Sequence, residues 1–170
     1  MRRIVIVGFM GCGKTTVAEA LARQLGCESM DLDSFITQRE RRSPAEIIEQ
    51  DGEAVFREIE TRALRDALES NDARVIALGG GAWPVDANRA LIAEHNCLSV
   101  WLDAPFELCW ARIISSANTI RPMAPDRERA QRLFQVRRDS YELAHLRLVM
   151  SKTTAPDETV VELATSLLLT

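Results

Sequence analysis

A chain of 170 residues with 46% hydrophobic and 27% charged residues has the size and balance of one globular domain and is too short for two ordinary cores. No apolar run approaches the roughly 18 residues of a membrane span, so a soluble protein with no membrane partner is expected. The net charge of −4, from 21 basic and 25 acidic residues without a long basic block, argues against nucleic acid as a partner.

Met1-Arg2-Arg3 leads straight into the apolar run Ile4 to Val7, read as the first strand. That leaves no room for a signal or transit peptide, and the cytoplasm is the expected location. Gly8 to Thr15 then reads GFMGCGKT, followed by an amphipathic stretch from Thr16 to Leu25. Strand, glycine-rich loop and helix in this order form a phosphate-binding loop. Its glycines let successive backbone N–H groups curl around phosphate oxygens. Lys14 supplies a charge to the outer phosphates, Thr15 a hydroxyl to Mg²⁺, and the helix N-terminus a field that favours the anion. Gly11, Cys12, Gly13, Lys14, Thr15 and Thr16 are therefore the expected cofactor-binding stretch.

The second strand, Ser29 to Asp31, ends in Asp31-Leu32-Asp33. Alternation along an extended segment would point both carboxylates to one side. One could then organise the water shell of Mg²⁺ while the other accepts a hydrogen bond, or a proton, from an attacking hydroxyl. The alternative is that Asp33 caps a helix beginning near Ser34. Ser43, Pro44 and Glu46 form a capping box that opens a helix interrupted at Gly52. A longer helix resumes with Val55, Phe56, Ile59, Ala63, Leu64, Ala67 and Leu68 on one face. On it, Arg57 and Glu60 are either a surface pair or a carboxylate fixing a guanidinium that grips a substrate acid; periodicity leaves both open.

The third strand, Arg74 to Leu78, runs into Gly79-Gly80-Gly81. Bare backbone there allows close approach of a ligand and offers it N–H groups, unless the segment is only a flexible turn into Pro84. The fourth strand is Leu98 to Asp103. Ser115 to Asp126, SSANTIRPMAPD, has two prolines and no apolar period, and reads as a mobile lid loop over the site. Its Arg121 would meet charge developing on a transferring phosphoryl group, the alternative being a solvent-facing arginine. A fifth strand spans Leu146 to Met150, and Pro156 opens a terminal helix carrying Val160, Val161, Leu163, Ala164, Leu167 and Leu168.

Alternation of strands and helices predicts a parallel sheet covered on both faces. Cys12, Cys27, Cys97 and Cys109 show no C-x-x-C pair, which predicts reduced thiols. His95 and His145, both in helix-like contexts, do not complete a zinc site. Cys12 is read as a space-filling residue in the loop, with oxidation sensitivity as the alternative.

GFMGCGKT, DLD at 31, FREIE at 56, GGG at 79, an arginine-proline loop at 121 and RRDSY at 137, in register over almost the whole chain, resemble the shikimate kinase family. The resemblance implies one P-loop kinase domain over residues 1–170, of the nucleoside-monophosphate-kinase type. That is a three-layer α/β sandwich with strand order 2-3-1-4-5, substrate-binding helices at about 33–62 and the lid at about 115–126. It implies ATP-dependent phosphorylation of the 3-hydroxyl of shikimate. By the same resemblance Asp33, Arg57, Gly79, Gly80, Gly81 and Arg137 hold shikimate, with Arg57 and Arg137 on its carboxylate. Lys14, Thr15 and Asp31 serve the phosphates and Mg²⁺, with Thr15 and Asp31 as the metal-side residues, and Lys14, Asp33 and Arg121 are the catalytic set. Arg112 and Pro156 fall on the adenine side, Arg112 farther from the arginine-proline loop than the family's adenine-stacking arginine.

Three departures stand out. No proline precedes Tyr141, so the choice of Arg137 over Arg138 rests on spacing to that tyrosine. Arg41 or Arg42 stands where a glycine is common before Ser43. Arg112 lies farther from the arginine-proline loop than the family's adenine-stacking arginine, which leaves the adenine contact open. Two other readings compete: a P-loop kinase for another small hydroxy acid or a nucleoside monophosphate, and a catalytically silent nucleotide-binding module. A monomer is the default state.

Overall fold

The computed structural model describes residues 2–70, 72–116 and 125–151, together with 160 and 163. Five strands form one parallel sheet in the order β2-β3-β1-β4-β5, as the resemblance implies. They are β1 (Ile4–Val7), β2 (Ser29–Asp31), β3 (Val75–Ala77), β4 (Leu98–Asp103) and β5 (Leu146–Val149). β1 lies at the centre, with Ile4 opposite Val75 on one side and Leu98 on the other. Every residue of β1, β3 and β4 is buried, whereas β2 and β5, at the edges, are only partly so. Apolar side chains on both strand faces are what a sheet covered by helices on two sides requires.

The helices are α1 (Lys14–Leu25), α2 (Leu32–Glu40), α3 (Pro44–Asp51), α4 (Glu53–Ser70), α5 (Asp86–Glu94), α6 (Phe106–Ser115) and α7 (Arg127–Tyr141). None of the described helices is long and apolar enough to cross a membrane. Some boundaries differ from the sequence reading. β3 and β5 are shorter than expected, although Leu78 N–H still donates to Ile6 and Met150 N–H to Asp103 beyond the strand ends. α1 starts at Lys14 rather than Thr16, because Gly13, with φ 103°, turns the chain directly into the helix. His145 is not helical: it precedes β5, and its Nδ1 accepts from the Ser99 backbone N–H at 3.1 Å.

Two turn devices shape the region between β2 and β3. Ser43 and Glu46 form the expected reciprocal capping box, with Pro44 in the first turn. Arg41 ends α2 with φ 57°, in the left-handed region that glycine adopts without a Cβ penalty. This explains physically why a glycine suits that neighbourhood. Gly52, with φ 90°, separates α3 from α4, as the interruption in the pattern predicts. The terminal helix expected from Pro156 lies outside the described residues apart from Val160 and Leu163, both helical and buried.

Candidate active site

The carboxyl ends of the parallel strands bring the donor and acceptor elements together, the usual place for a ligand in an open α/β sheet. On the donor side Gly8, Gly11 and Gly13 all take positive φ. The loop is also pressed into its surroundings. A methyl group at Gly8 would lie 2.8 Å from the Leu102 carbonyl oxygen, and one at Gly11 would lie 2.7 Å from that of Cys109. Lys14 Nζ donates to the carbonyls of Gly8 and Phe9 at 3.0 Å each. Arg112 donates to the Cys12 carbonyl at 3.1 Å, so it braces the loop from α6. Cys12 is fully buried, and all four cysteines are free thiols.

Asp31 and Asp33 do not form a pair by strand alternation. β2 ends at Asp31 and α2 begins at Leu32, so Asp33 stands in the first turn of a helix. The capping residue is Asp31, whose Oδ1 accepts from the Ser34 N–H at 2.9 Å. Its Oδ2 accepts from the Thr15 hydroxyl at 2.6 Å. With the cap assigned to Asp31, Asp33 has no need to serve as one.

The three glycines are not a flexible turn. None takes a positive φ; each is instead required by space. A methyl group at Gly79 would sit 2.7 Å from Asp33 Oδ1 and 3.0 Å from Glu60 Oε1, and one at Gly80 would sit 3.0 Å from the Met10 backbone nitrogen. At Gly81 the same group would lie 2.2 Å from Arg57 Nη2. The glycine turn therefore packs against Asp33, Glu60, Arg57 and the phosphate loop at once. Gly81→Ala is expected to push Arg57 out of place, raising the KM for an anionic acceptor about tenfold or more, the loss of one charge-assisted hydrogen bond. Steady-state kinetics checks this, and an unchanged KM would show that Arg57 is free to move aside.

Arg57 and Glu60 are not a surface pair. Arg57 Nη1 donates to Glu60 Oε2 at 2.6 Å, and Glu60 is only 1% exposed. A second carboxylate, Glu53, accepts from Arg57 Nη2 at 3.2 Å. Burial opposes the Arg57 charge, but the two glutamates outweigh it and raise its pKa. Glu60 shifts upward as well, chiefly through burial and further through Asp33, against the pull of Arg57 and Arg137. Its Oε1 has no hydrogen-bond partner among the described residues. A carboxyl with a raised folded pKa gives stability that is complete below its unfolded value and lost as pH rises through the folded one. Glu60→Gln is expected to flatten that decline in a titration of unfolding free energy from mildly acidic to neutral pH; a parallel decline in wild type and variant would rule it out.

Arg137, 7% exposed on α7, has its pKa lowered by burial and by the Arg57 charge, with Tyr141 working the other way. Arg138 points elsewhere, making a bidentate pair with Asp103 at 2.9 and 3.1 Å. Geometry thus separates the two arginines that spacing alone had to choose between. Glu53, which accepts from Arg57, and Tyr141, which donates to the Gly80 carbonyl, were missed, whereas Glu60 was part of one of the two readings of the Arg57 spacing. Its burial carried a signal, because Phe56, Glu60 and Leu64 share one face at i, i+4 and i+8, and a carboxylate in an apolar stripe calls for a buried partner. Arg121 and Pro156 lie outside the described residues.

Fold, loop and acceptor cleft together define a P-loop phosphotransferase of the nucleoside-monophosphate-kinase type. The family model described as shikimate kinase matches residues 10–168. A shikimate kinase of Ruegeria pomeroyi is 37% identical over 162 residues, covering 94% of this chain and 81% of that protein. One from Sulfurihydrogenibium is 33% identical, covering 98% of each chain. Among solved structures, shikimate kinase from Acinetobacter baumannii in complex with shikimate superposes with a TM-score of 0.90 at 31% identity, covering 99% of this chain and 94% of that one. The chain belongs to the shikimate kinase family.

Proposed function

We propose that this chain transfers the γ-phosphoryl group of ATP to the 3-hydroxyl of shikimate, giving shikimate 3-phosphate and ADP. One observation carries the reading: a single cleft of about 360 Å³ is walled by Lys14 and Thr15 of the donor loop and by Asp33, Gly79 and Gly80 of the acceptor side. A half-buried guanidinium, Arg57, and a buried one, Arg137, the charge of the first lowering the pKa of the second, favour an anion between them. The shikimate carboxylate has the charge and planarity to fill that role. Asp33 then faces the acceptor hydroxyl, with Gly80 and Gly81 supplying backbone donors.

The hydroxyl oxygen attacks the γ-phosphorus as the bond to the β–γ bridging oxygen breaks. Its proton passes to Asp33 or is oriented by it. Lys14 neutralises the outer phosphates, and Arg121, assigned by the motif, meets charge on the transferring group. Thr15 and Asp31, two hard oxygen donors already 2.6 Å apart, fit Mg²⁺. Bound there, the ion would neutralise phosphate charge and drain it from the leaving group. Among the described residues no three His, Cys, Asp or Glu side chains gather in a group fit for a metal, so phosphates and water would complete its shell. The proposal includes Gly11, Cys12, Gly13 and Thr16 at the phosphates, Arg112 and Pro156 toward the adenine, and a cytoplasmic monomer of one domain without nucleic-acid or membrane partners.

The test is ADP release with shikimate, quinate and nucleoside monophosphates compared as acceptors. Turnover with shikimate and little with the others is expected. Preference for a nucleotide acceptor, or ATP binding without turnover on any of them, would favour the rival readings.

A further inference from the structure

Tyr141 is the single tyrosine of the chain, one helical turn beyond Arg137 on α7. Its hydroxyl donates to the Gly80 carbonyl at 2.5 Å, and Arg137, at i−4 on the same helix face, acts on the phenol electrostatically against the larger effect of burial. Burial pushes the pKa of this phenol far upward, so it remains a donor at any working pH. Its ring is secured separately, stacked on Trp101 with centroids 6.1 Å apart. Around it α7 is tied twice more: Trp83 Nε1 donates to the Ser140 carbonyl at 2.7 Å, and Arg138 pairs with Asp103. Packing would be served by a phenyl ring. A buried hydroxyl costs free energy unless it is hydrogen-bonded; this one is spent on the Gly80 carbonyl, one helical turn from Arg137, and both groups are assigned to the acceptor.

We propose that Tyr141 is a positioning residue that couples Arg137 to the Gly80–Gly81 backbone, so that guanidinium and peptide groups meet the shikimate ring and carboxylate as one pre-set surface. The inference rests on the reading that Arg137 and the glycine turn hold shikimate. It predicts that the hydroxyl acts on acceptor binding, and leaves the nucleotide side untouched.

The test is a double-mutant cycle on Tyr141→Phe and Arg137→Ala, with Trp83→Phe as a control, varying shikimate and ATP separately. Tyr141→Phe is expected to raise the KM for shikimate about tenfold, the worth of one good buried hydrogen bond, with kcat and the KM for ATP held. Arg137→Ala raises it further, and the double variant falls short of the product of the two effects, as coupled residues do. Trp83→Phe, which removes a tie to α7 but spares the hydroxyl, leaves the shikimate KM in place. The proposal is overturned by an unchanged shikimate KM in Tyr141→Phe, by equal rises for both substrates, by fully multiplicative effects, or by an equal rise in Trp83→Phe. If Arg137→Ala itself leaves the shikimate KM unchanged, the site reading fails, and the coupling fails with it.

Discussion

Replacing Arg57 with alanine is expected to damage both folding and acceptor binding, by separable routes. The side chain is the main counter-charge of Glu60, which is 1% exposed and accepts from it at 2.6 Å. Removing one partner of a buried ion pair leaves an uncompensated charge, at a cost of about 3–5 kcal/mol. Glu60 would answer by holding its proton to higher pH. Binding suffers separately, because a carboxylate loses a guanidinium partner: kcat/KM for shikimate is expected to fall about 100-fold, near the upper value for a hydrogen bond to a charged group. Adding Glu60→Gln to Arg57→Ala separates the two losses. The second substitution removes the stranded charge, so denaturant unfolding should recover most of the lost stability. Turnover should not recover, since the grip on shikimate is still missing. Recovery of both together would mean that Arg57 matters only as a structural partner of Glu60.

Asp33→Asn is the complementary case, with a large effect on chemistry and a small one on folding. Asp33 stands in the first turn of α2, while the helix cap belongs to Asp31. The amide keeps the shape and loses the proton acceptor. A positioned acid or base contributes about 10²–10⁴-fold, and kcat is expected to fall within that range while ATP affinity persists. Steady-state turnover with nucleotide binding measured calorimetrically checks both halves. Near-normal kcat would remove Asp33 from the reaction, and a parallel loss of ATP affinity would place it on the donor side.

The contrast between these two carboxylates shows what the sequence could carry. The phosphate loop was legible because its chemistry is local: three glycines, a lysine and a threonine within the eight positions from Gly8 to Thr15, between a strand and a helix. The sheet order followed the family resemblance, and the buried central strands followed their apolar runs. Asp31 and Asp33 were legible as a pair, but their roles were not, because one residue decides whether the chain continues as strand or turns into helix. Leu32 turns it, so Asp31 becomes the cap and Asp33 is freed for the cleft. The Arg57–Glu60 spacing was equally visible, yet only the packing of α4 distinguishes a solvated pair from a buried one.

The glycines at 79 to 81 had suggested backbone freedom or close approach. Their φ values are not positive, and an added methyl group would lie 2.2–3.0 Å from atoms of Arg57, Asp33, Glu60 and Met10, which decides against backbone freedom and shows close approach by the protein's own groups. No local pattern reports such contacts, which come from elements about 20 to 70 residues away. Tyr141 was visible only as a spacing marker. Its contact with the Gly80 carbonyl joins residues 61 positions apart.

The central claim is a transfer to one particular oxygen of one acceptor, and the most direct test is the identity of the product. Phosphorus–proton correlated NMR of the reaction with ATP, Mg²⁺ and shikimate should show the new phosphorus coupled to the proton on carbon 3. Coupling to another ring position, or no shikimate-dependent phosphorus signal beside ADP, would contradict the arrangement of Asp33, Arg57 and Arg137 on which the account depends.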